Sequence, residues 1–139
     1  MPKFGDASRR RLATCVADLQ DVFSEVIKHV DCTILCGHRT KEEQEMAFLR
    51  GNSKVQFPNS KHNSLPSLAV DAAPYPIDWN DKKRFALFAG FVLGIAATKG
   101  IRLRWGGDWN MNYITLDNRF DDLPHFELVQ ERTKQNEQD

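Results

Sequence analysis

Two widely separated segments gather the residue types that metal-assisted hydrolysis needs. The first runs Ser60-Lys61-His62 and then Ala69-Val70-Asp71; the second is Asp122-Leu123-Pro124-His125-Phe126-Glu127. A catalytic zinc takes three protein ligands from His, Asp, Glu or Cys and keeps a fourth position open, and imidazole and carboxylate are suitable donors. His62, Asp71 and His125 are therefore the candidate zinc ligands. A carboxylate must also take a proton from the attacking water and pass it to the leaving amine. Asp122, three residues before His125, is the candidate base, and its neighbour Asp121 is the rival. Pro124 fixes φ between Asp122 and His125 and so helps hold their offset. Glu127 shares a strand face with His125 by the period of two; it reads as a contact behind the metal site or to substrate rather than as the base.

Arg39, in Gly37-His38-Arg39-Thr40, stands just after a strand. A guanidinium there can bind a substrate carboxylate or stabilise an oxyanion, or it can simply neutralise an acid near a helix start; position alone does not choose. Isolated histidines are usually structural or on the surface. His29, near a helix C-terminus, reads that way, and His38 stays open. On spacing alone the His/Asp/His set is suggestive and no more.

The elements that must position these residues can be read from periodicity and punctuation. Leu12, Val16, Leu19, Val22, Phe23, Val26 and Ile27 predict one amphipathic helix from about Ser8, its N-cap, to Lys28. Cys32 to Cys36 is a short β-prone strand ended by Gly37. Thr40 and Glu43 form a capping-box pattern that opens a helix to about Arg50, with Gly51 as its stop. Residues 52–67 are a long polar loop, a hint of function in a compact domain. Leu68 to Ala73 is a buried strand, so His62 and Asp71 flank a loop-to-strand transition and can converge. After a turn at residues 74–81, Phe85, Leu87, Phe88, Phe91, Val92 and Ile95 predict a helix buried on most sides, ending at Gly100. Ile101 to Trp105 is a strand broken by Gly106-Gly107, and His125 to Val129 is the last strand, able to pair beside Leu68–Ala73. This mixed order predicts an α+β domain with a small, mainly antiparallel sheet flanked by helices.

The bulk numbers bound the rest. The chain has 139 residues, 41% of them hydrophobic, enough for one core without disulfide staples. We expect a single catalytic domain over residues 1–130 and a flexible tail over 131–139. Lys plus Arg and Asp plus Glu both number 19, a balance that argues against nucleic-acid binding; Arg9-Arg10-Arg11 reads as a solvated face. No apolar run is long enough for a membrane span, and the N-terminus lacks the apolar core of a secretory signal, so a cytoplasmic product and a monomer are expected. Cys15, Cys32 and Cys36 read as free thiols. Cys32 and Cys36 would share one strand face as small buried hydrophobes rather than half of a metal site.

These motifs resemble the zinc D-Ala-D-Ala carboxypeptidase and phage L-alanyl-D-glutamate peptidase family, whose hallmark is Ser-x-His, then Ala-x-Asp, then a late acidic-x-x-His. Lys3-Phe4-Gly5, Leu19-Gln20, Gly37-His38-Arg39-Thr40 with Gln44, Ala73-Pro74-Tyr75, Asp78-Trp79 and Leu103-Arg104-Trp105-Gly106-Gly107-Asp108-Trp109 extend the likeness from about Lys3 to Val129. The resemblance implies a hedgehog/D-Ala-D-Ala peptidase-like fold, zinc at His62, Asp71 and His125, Asp122 as base, and Arg39 at the substrate or transition state. It also puts Ser60 and Asp108 near substrate, although Ser60 equally suits a loop cap, and it brings Trp105 and Trp109 near the cleft, where core packing is the expected role. The implied activity is a zinc metallopeptidase hydrolysing peptidoglycan stem peptides: a phage endolysin cleaving L-alanyl-D-glutamate bonds, reaching the wall after release by a separate membrane-lesion protein and carrying no wall-binding module. The alternatives are a D-Ala-D-Ala carboxypeptidase of the same mechanism, or a non-enzymatic binding module on the same fold, against which Asp122 speaks. One departure stands out. The run from His62 to Asp71 is about two residues longer than usual, contains Pro66 and lacks a glycine, which is expected to reshape the substrate groove.

Overall fold

The computed structural model describes residues 1–129; the tail expected over residues 131–139 lies outside them. Strands β1 (Cys32–Cys36), β2 (Ala69–Pro74), β3 (Leu103–Gly106) and β4 (Asp122–Leu128) form one antiparallel sheet in the order β1-β2-β4-β3. Helices α1 (Asp6–Leu12), α2 (Ala17–Val26), α3 (Lys41–Leu49) and α4 (Lys82–Thr98) complete the α+β architecture. Strand alternation sorts residues between the two faces of the sheet. Ile34, Val70, Ala72 and Phe126 are fully buried in the core on one face. The Phe126 ring meets the edges of Phe23 from α2 and Phe88 from α4, at centroid distances of 5.7 and 6.2 Å. Burying each such ring is worth roughly 1.5–3 kcal/mol. Asp71 and His125, one step from Val70 and Phe126, must therefore face away from the core, and they are direct cross-strand partners.

The single N-terminal helix expected from periodicity is two helices. The interruption at residues 13–16 is spent on long-range bonds: Ser67 N donates to Thr14 O, Val16 N donates to Ser67 O, and Thr14 Oγ1 accepts from His38 N. Apolar spacing is blind to this because Leu12 and Leu19 remain buried on both sides of the break. Ser8 is not an N-cap. Its hydroxyl is buried and accepts from Ile34 N, while Arg11 Nη1 donates to Ile34 O. Together they satisfy the open edge of β1, which would otherwise invite strand pairing. Arg9 and Arg10 are exposed, as expected of a solvated face.

α4 also departs from expectation. Phe85, Phe88, Ala89, Val92 and Ala96 are buried, but Leu87 is 77% exposed, and Gly90 and Gly94 lie on the solvent side. The helix is buried along one face, not most of its circumference. Among the described residues, no helix is long and apolar enough to cross a membrane.

Two sheet irregularities shape the site. In β1 the register shifts between Ile34, opposite Ala72, and Cys36, opposite Asp71. The extra residue is Leu35, and this bulge turns Cys36 onto the Asp71 face. Cys32 and Cys36 therefore do not share a face: Cys15 and Cys32 are buried in the core, and Cys36 borders the polar site. In β4 the register against β3 jumps from Phe126 opposite Trp105 to Asp122 opposite Gly106. The strand thus begins at Asp122, earlier than the expected His125, with residues 123–125 bowed out of the ladder with β3 while His125 stays paired with Asp71 on β2. Trp105 Nε1 donates to Leu123 O at 2.7 Å and pins the bow. Gly106 makes room for it, since a Cβ there would lie 2.1 Å from Asp122 O.

Candidate active site

His62 sits in a short 3-10 turn (Lys61–Asn63) whose geometry is set locally. Ser60 Oγ accepts from His62 N, and Asn63 Oδ1 accepts from Ser60 N at 3.0 Å. Ser60 is thus a loop cap that also lines the cleft. The imidazole of His62 is 2% exposed, and its Nδ1 donates to the Gly37 carbonyl at 2.7 Å. That bond fixes the tautomer and leaves the Nε2 lone pair facing outward. His125 is fixed in mirror fashion: its Nε2 donates to Glu127 Oε1 at 2.8 Å, leaving Nδ1 free. Glu127 is itself buried, and its other oxygen lies 3.3 Å from Lys61 Nζ and 3.5 Å from Arg104 Nη1.

The two free imidazole nitrogens and Asp71 converge. His62 Nε2 and His125 Nδ1 are each 3.1 Å from Asp71 Oδ1 and 3.3 Å from one another. Four ligands placed tetrahedrally at zinc's usual bond length of about 2.0–2.1 Å would stand about 3.3 Å apart. The three donors therefore fit one small divalent ion, and among the described residues they form the group able to hold one. Carbonyl and carboxylate acceptors behind metal-binding imidazoles are the usual way such ligands are oriented.

The remaining candidates distribute unequally. Asp122 lines the cleft with its Oδ2 4.0 Å from His125 Nδ1. Asp121 is exposed and accepts from Asn118 Nδ2, away from the donors. Arg39 lies along the cleft wall, its Nη2 3.6 Å from Asp71 Oδ2 and its Nη1 donating to Gln44 Oε1 at 2.9 Å. Asp108 is not brought to the cleft: it is 4% exposed, and its Oδ2 accepts from Tyr113 N, holding a turn. Of the two tryptophans that the resemblance brings near the cleft, Trp105 is in the core, as expected, whereas Trp109 is half-buried in the cleft, its ring 5.5 Å from that of His125. His38 ties Nδ1 to Ser64 O and His29 pairs with Glu25. The lengthened loop does not line the cleft. Ser64, Leu65 and Pro66 are exposed on its outside, and Ser67 is clipped to the α1–α2 break.

The field at the site follows from packing. Burial is the largest single influence and would lower His62, but the hydrogen bond and charge of Asp71 together with the Cys36 contact exceed it and hold it up at about 10; for His125 the hydrogen bonds to Asp71 and Glu127 and the charge of Asp71 together exceed burial and hold it up at about 9. Burial would raise Asp71, but the two imidazoles keep it well below the carboxylate range. Asp122 is pushed up, first by burial and then by the charge of Asp71, the direction that suits a base working near neutrality.

Several parts of the site carry no sequence signature. The Gly37 carbonyl acts through its backbone, which any residue type possesses. Gln44 is fully buried and joins Arg39, Asn63, Ser53 and the Val55 carbonyl; only its position in the resemblance marked it. Together the lining residues enclose an open cleft of about 300 Å³ over the three donors.

Comparison with known proteins matches this arrangement to one group. A structure of the Serratia marcescens L-Ala D-Glu endopeptidase ChiX superposes with a TM-score of 0.71 at 26% identity, covering 91% of this chain and 90% of that one. The L-alanyl-D-glutamate peptidase of Escherichia phage T5 is 35% identical over 113 residues, 78% of this chain and 82% of its own length. The family model described as phage L-alanyl-D-glutamate peptidase matches residues 1–129, the whole described fold with its His/Asp/His cluster. The chain therefore belongs to the phage L-alanyl-D-glutamate peptidase family.

Proposed function

We propose that this chain is a phage endolysin that hydrolyses the L-alanyl-D-glutamate bond of peptidoglycan stem peptides, with one zinc ion held by His62 Nε2, Asp71 Oδ1 and His125 Nδ1. The observation that carries the reading is the convergence of those three donors within 3.1–3.3 Å, with the Asp122 carboxylate beside them in an open cleft. When bound, zinc supplies a Lewis acid and a water acidified to near neutral pH.

The chain's own residues do the rest. Asp122 takes the proton of the attacking water and returns it to the amine nitrogen of the departing D-glutamate; its position over the cleft and its raised pKa both suit that exchange. Arg39 steadies the distal oxygen of Asp71 and presents its guanidinium to the developing oxyanion. Glu127 positions His125, and the Gly37 carbonyl positions His62. Ser60 shapes the cleft as the cap of the His62 turn. Asp108 belongs to loop architecture and not to substrate contact. The activity for which the family is named, the 35%-identical phage relative and the fold of the L-Ala D-Glu endopeptidase support this choice of bond over the terminal D-Ala-D-Ala bond.

Digestion of defined muropeptides by the zinc-loaded protein tests the assignment. A new D-glutamate amino terminus is expected. Release of free D-alanine would replace the reading with a carboxypeptidase, and zinc binding without any product would leave a binding module.

A further inference from the structure

A D-glutamate that gives its amine to the scissile bond and is linked onward through one carboxyl keeps the other as a free carboxylate. An anion so close to the reacting carbonyl calls for a cation in the cleft. Besides the two histidines of the donor group, three basic side chains line it: Arg39, Lys54 and Lys61. Arg39 is held by Asp71 and Gln44 beside the three donors, where the oxyanion role given above already engages it. Lys61 is committed to Glu127 and the Leu128 carbonyl. Lys54 differs: among the described residues no carboxylate lies within ion-pair distance, and its ammonium rests 4.9 Å from the centroid of the Phe120 ring, which also lines the cleft.

The placement of Lys54 is built. Gln44 Nε2 donates to Ser53 Oγ at 2.9 Å and to Val55 O at 2.8 Å, gripping the residues on either side of Lys54. The same Gln44 accepts from Arg39, so the lysine's loop is tied to the cleft wall through one fully buried amide. The aromatic contact is the weak, exchangeable kind, whereas a charge-assisted bond to a carboxylate is stronger and directional. We propose that Lys54 is a specificity-determining residue that reads the free carboxylate of the D-glutamate, leaving the Phe120 face to take it.

The inference rests on the function proposed above and is tested with a matched pair of muropeptides, one with the free carboxylate on D-glutamate and one with that group as a carboxamide. Wild type should prefer the carboxylate by roughly tenfold or more in kcat/KM, the scale of a charged hydrogen bond, mainly through KM. Lys54→Met, which keeps an alkyl stem on Phe120, should bring the two substrates within about twofold of each other by raising KM for the carboxylate at unchanged kcat. Lys54→Arg should keep the preference. Equal cleavage of both substrates by wild type, or an undiminished preference in Lys54→Met, overturns the role of Lys54. Cleavage of neither substrate by wild type overturns the peptidase assignment and this inference with it. Because the side chain is exposed, the variant should melt with wild type, so a changed KM reads recognition and not folding.

Discussion

Glu127 is the residue whose replacement separates holding the metal from doing the chemistry. Its carboxylate is ionised in the folded chain: burial would raise its pKa, but the hydrogen bond from His125 and the Lys61 cation hold it below its ordinary value. The bond to His125 Nε2 is 2.8 Å long and buried. A hydrogen bond to a charged partner contributes about 1.5–3 kcal/mol and a neutral one about 0.5–1.5 kcal/mol. Glu127→Gln can keep the geometry but loses the charge, a difference of about 1–1.5 kcal/mol, or roughly tenfold in zinc affinity. Glu127→Ala loses the contact altogether and should weaken affinity up to about 100-fold, within the range seen when partners behind a metal ligand are removed. Lys61 and Arg104 are about one-third exposed and can turn to water, so their loss of an anion adds little. Competition with a chromophoric chelator at neutral pH measures the affinities, and turnover is then read at saturating zinc. Affinities of both variants within about twofold of wild type would refute the positioning role. Unchanged affinity with abolished turnover would move the base from Asp122 to Glu127.

Other perturbations reach separate parts of the site. Asp122→Asn should retain zinc and lose about 10²–10⁴-fold in kcat, while Asp121→Asn stays near wild type; the opposite pattern in a stopped digestion assay would exchange their roles. Gly106→Ala puts a Cβ 2.1 Å from Asp122 O, and should cost about 1–3 kcal/mol in urea melts, as overpacking does, together with activity; Gly5→Ala, with nothing within 4 Å, is the control. Because His62 and His125 are held at about 10 and 9 in the metal-free chain, zinc uptake at pH 7 should release one to two protons, seen by calorimetry in buffers of different ionisation enthalpy; no release would contradict the field described above. The same raised values contribute stability that is whole below their ordinary 6.5 and is lost as pH rises through 9 to 10. Asp71, held low, contributes stability that is present above its ordinary 3.8 and lost in stronger acid. The metal-free melting temperature should therefore fall between pH 6.5 and 10.5.

The three candidate donors are legible because each is a chemically distinctive side chain beside a readable boundary: His62 before a strand, Asp71 within it, His125 on the neighbouring strand. Strand alternation gave the rest, since Val70 and Phe126 in the core force Asp71 and His125 to the other face. What the residues hid is made by irregular backbone. The bulge at Leu35 that brings Cys36 beside His62, and the bow over residues 123–125 that swings Asp122 onto the face of His125, both break the strand period of two. The break between α1 and α2 is invisible for a related reason: long-range bonds from Ser67 to the backbone and from His38 to the Thr14 hydroxyl claim residues 13–16, and local apolar spacing contains no trace of them. Asp108 is placed near substrate by resemblance alone; in the structure it is buried and its carboxylate accepts from the Tyr113 backbone N, a contact within the loop.

The donor set around the ion is open to direct measurement by zinc-edge X-ray absorption of the loaded protein. Two imidazoles and one carboxylate should give a first shell of nitrogen and oxygen only, at about 2.0–2.2 Å, and the imidazole signature should halve in His125→Ala at forced loading. Cys36 lies on the same face, its Sγ 3.8 Å from His62 Nδ1, so the alternative is concrete. A sulfur shell at about 2.3 Å, or a spectrum unmoved by His125→Ala, would contradict the centre described here.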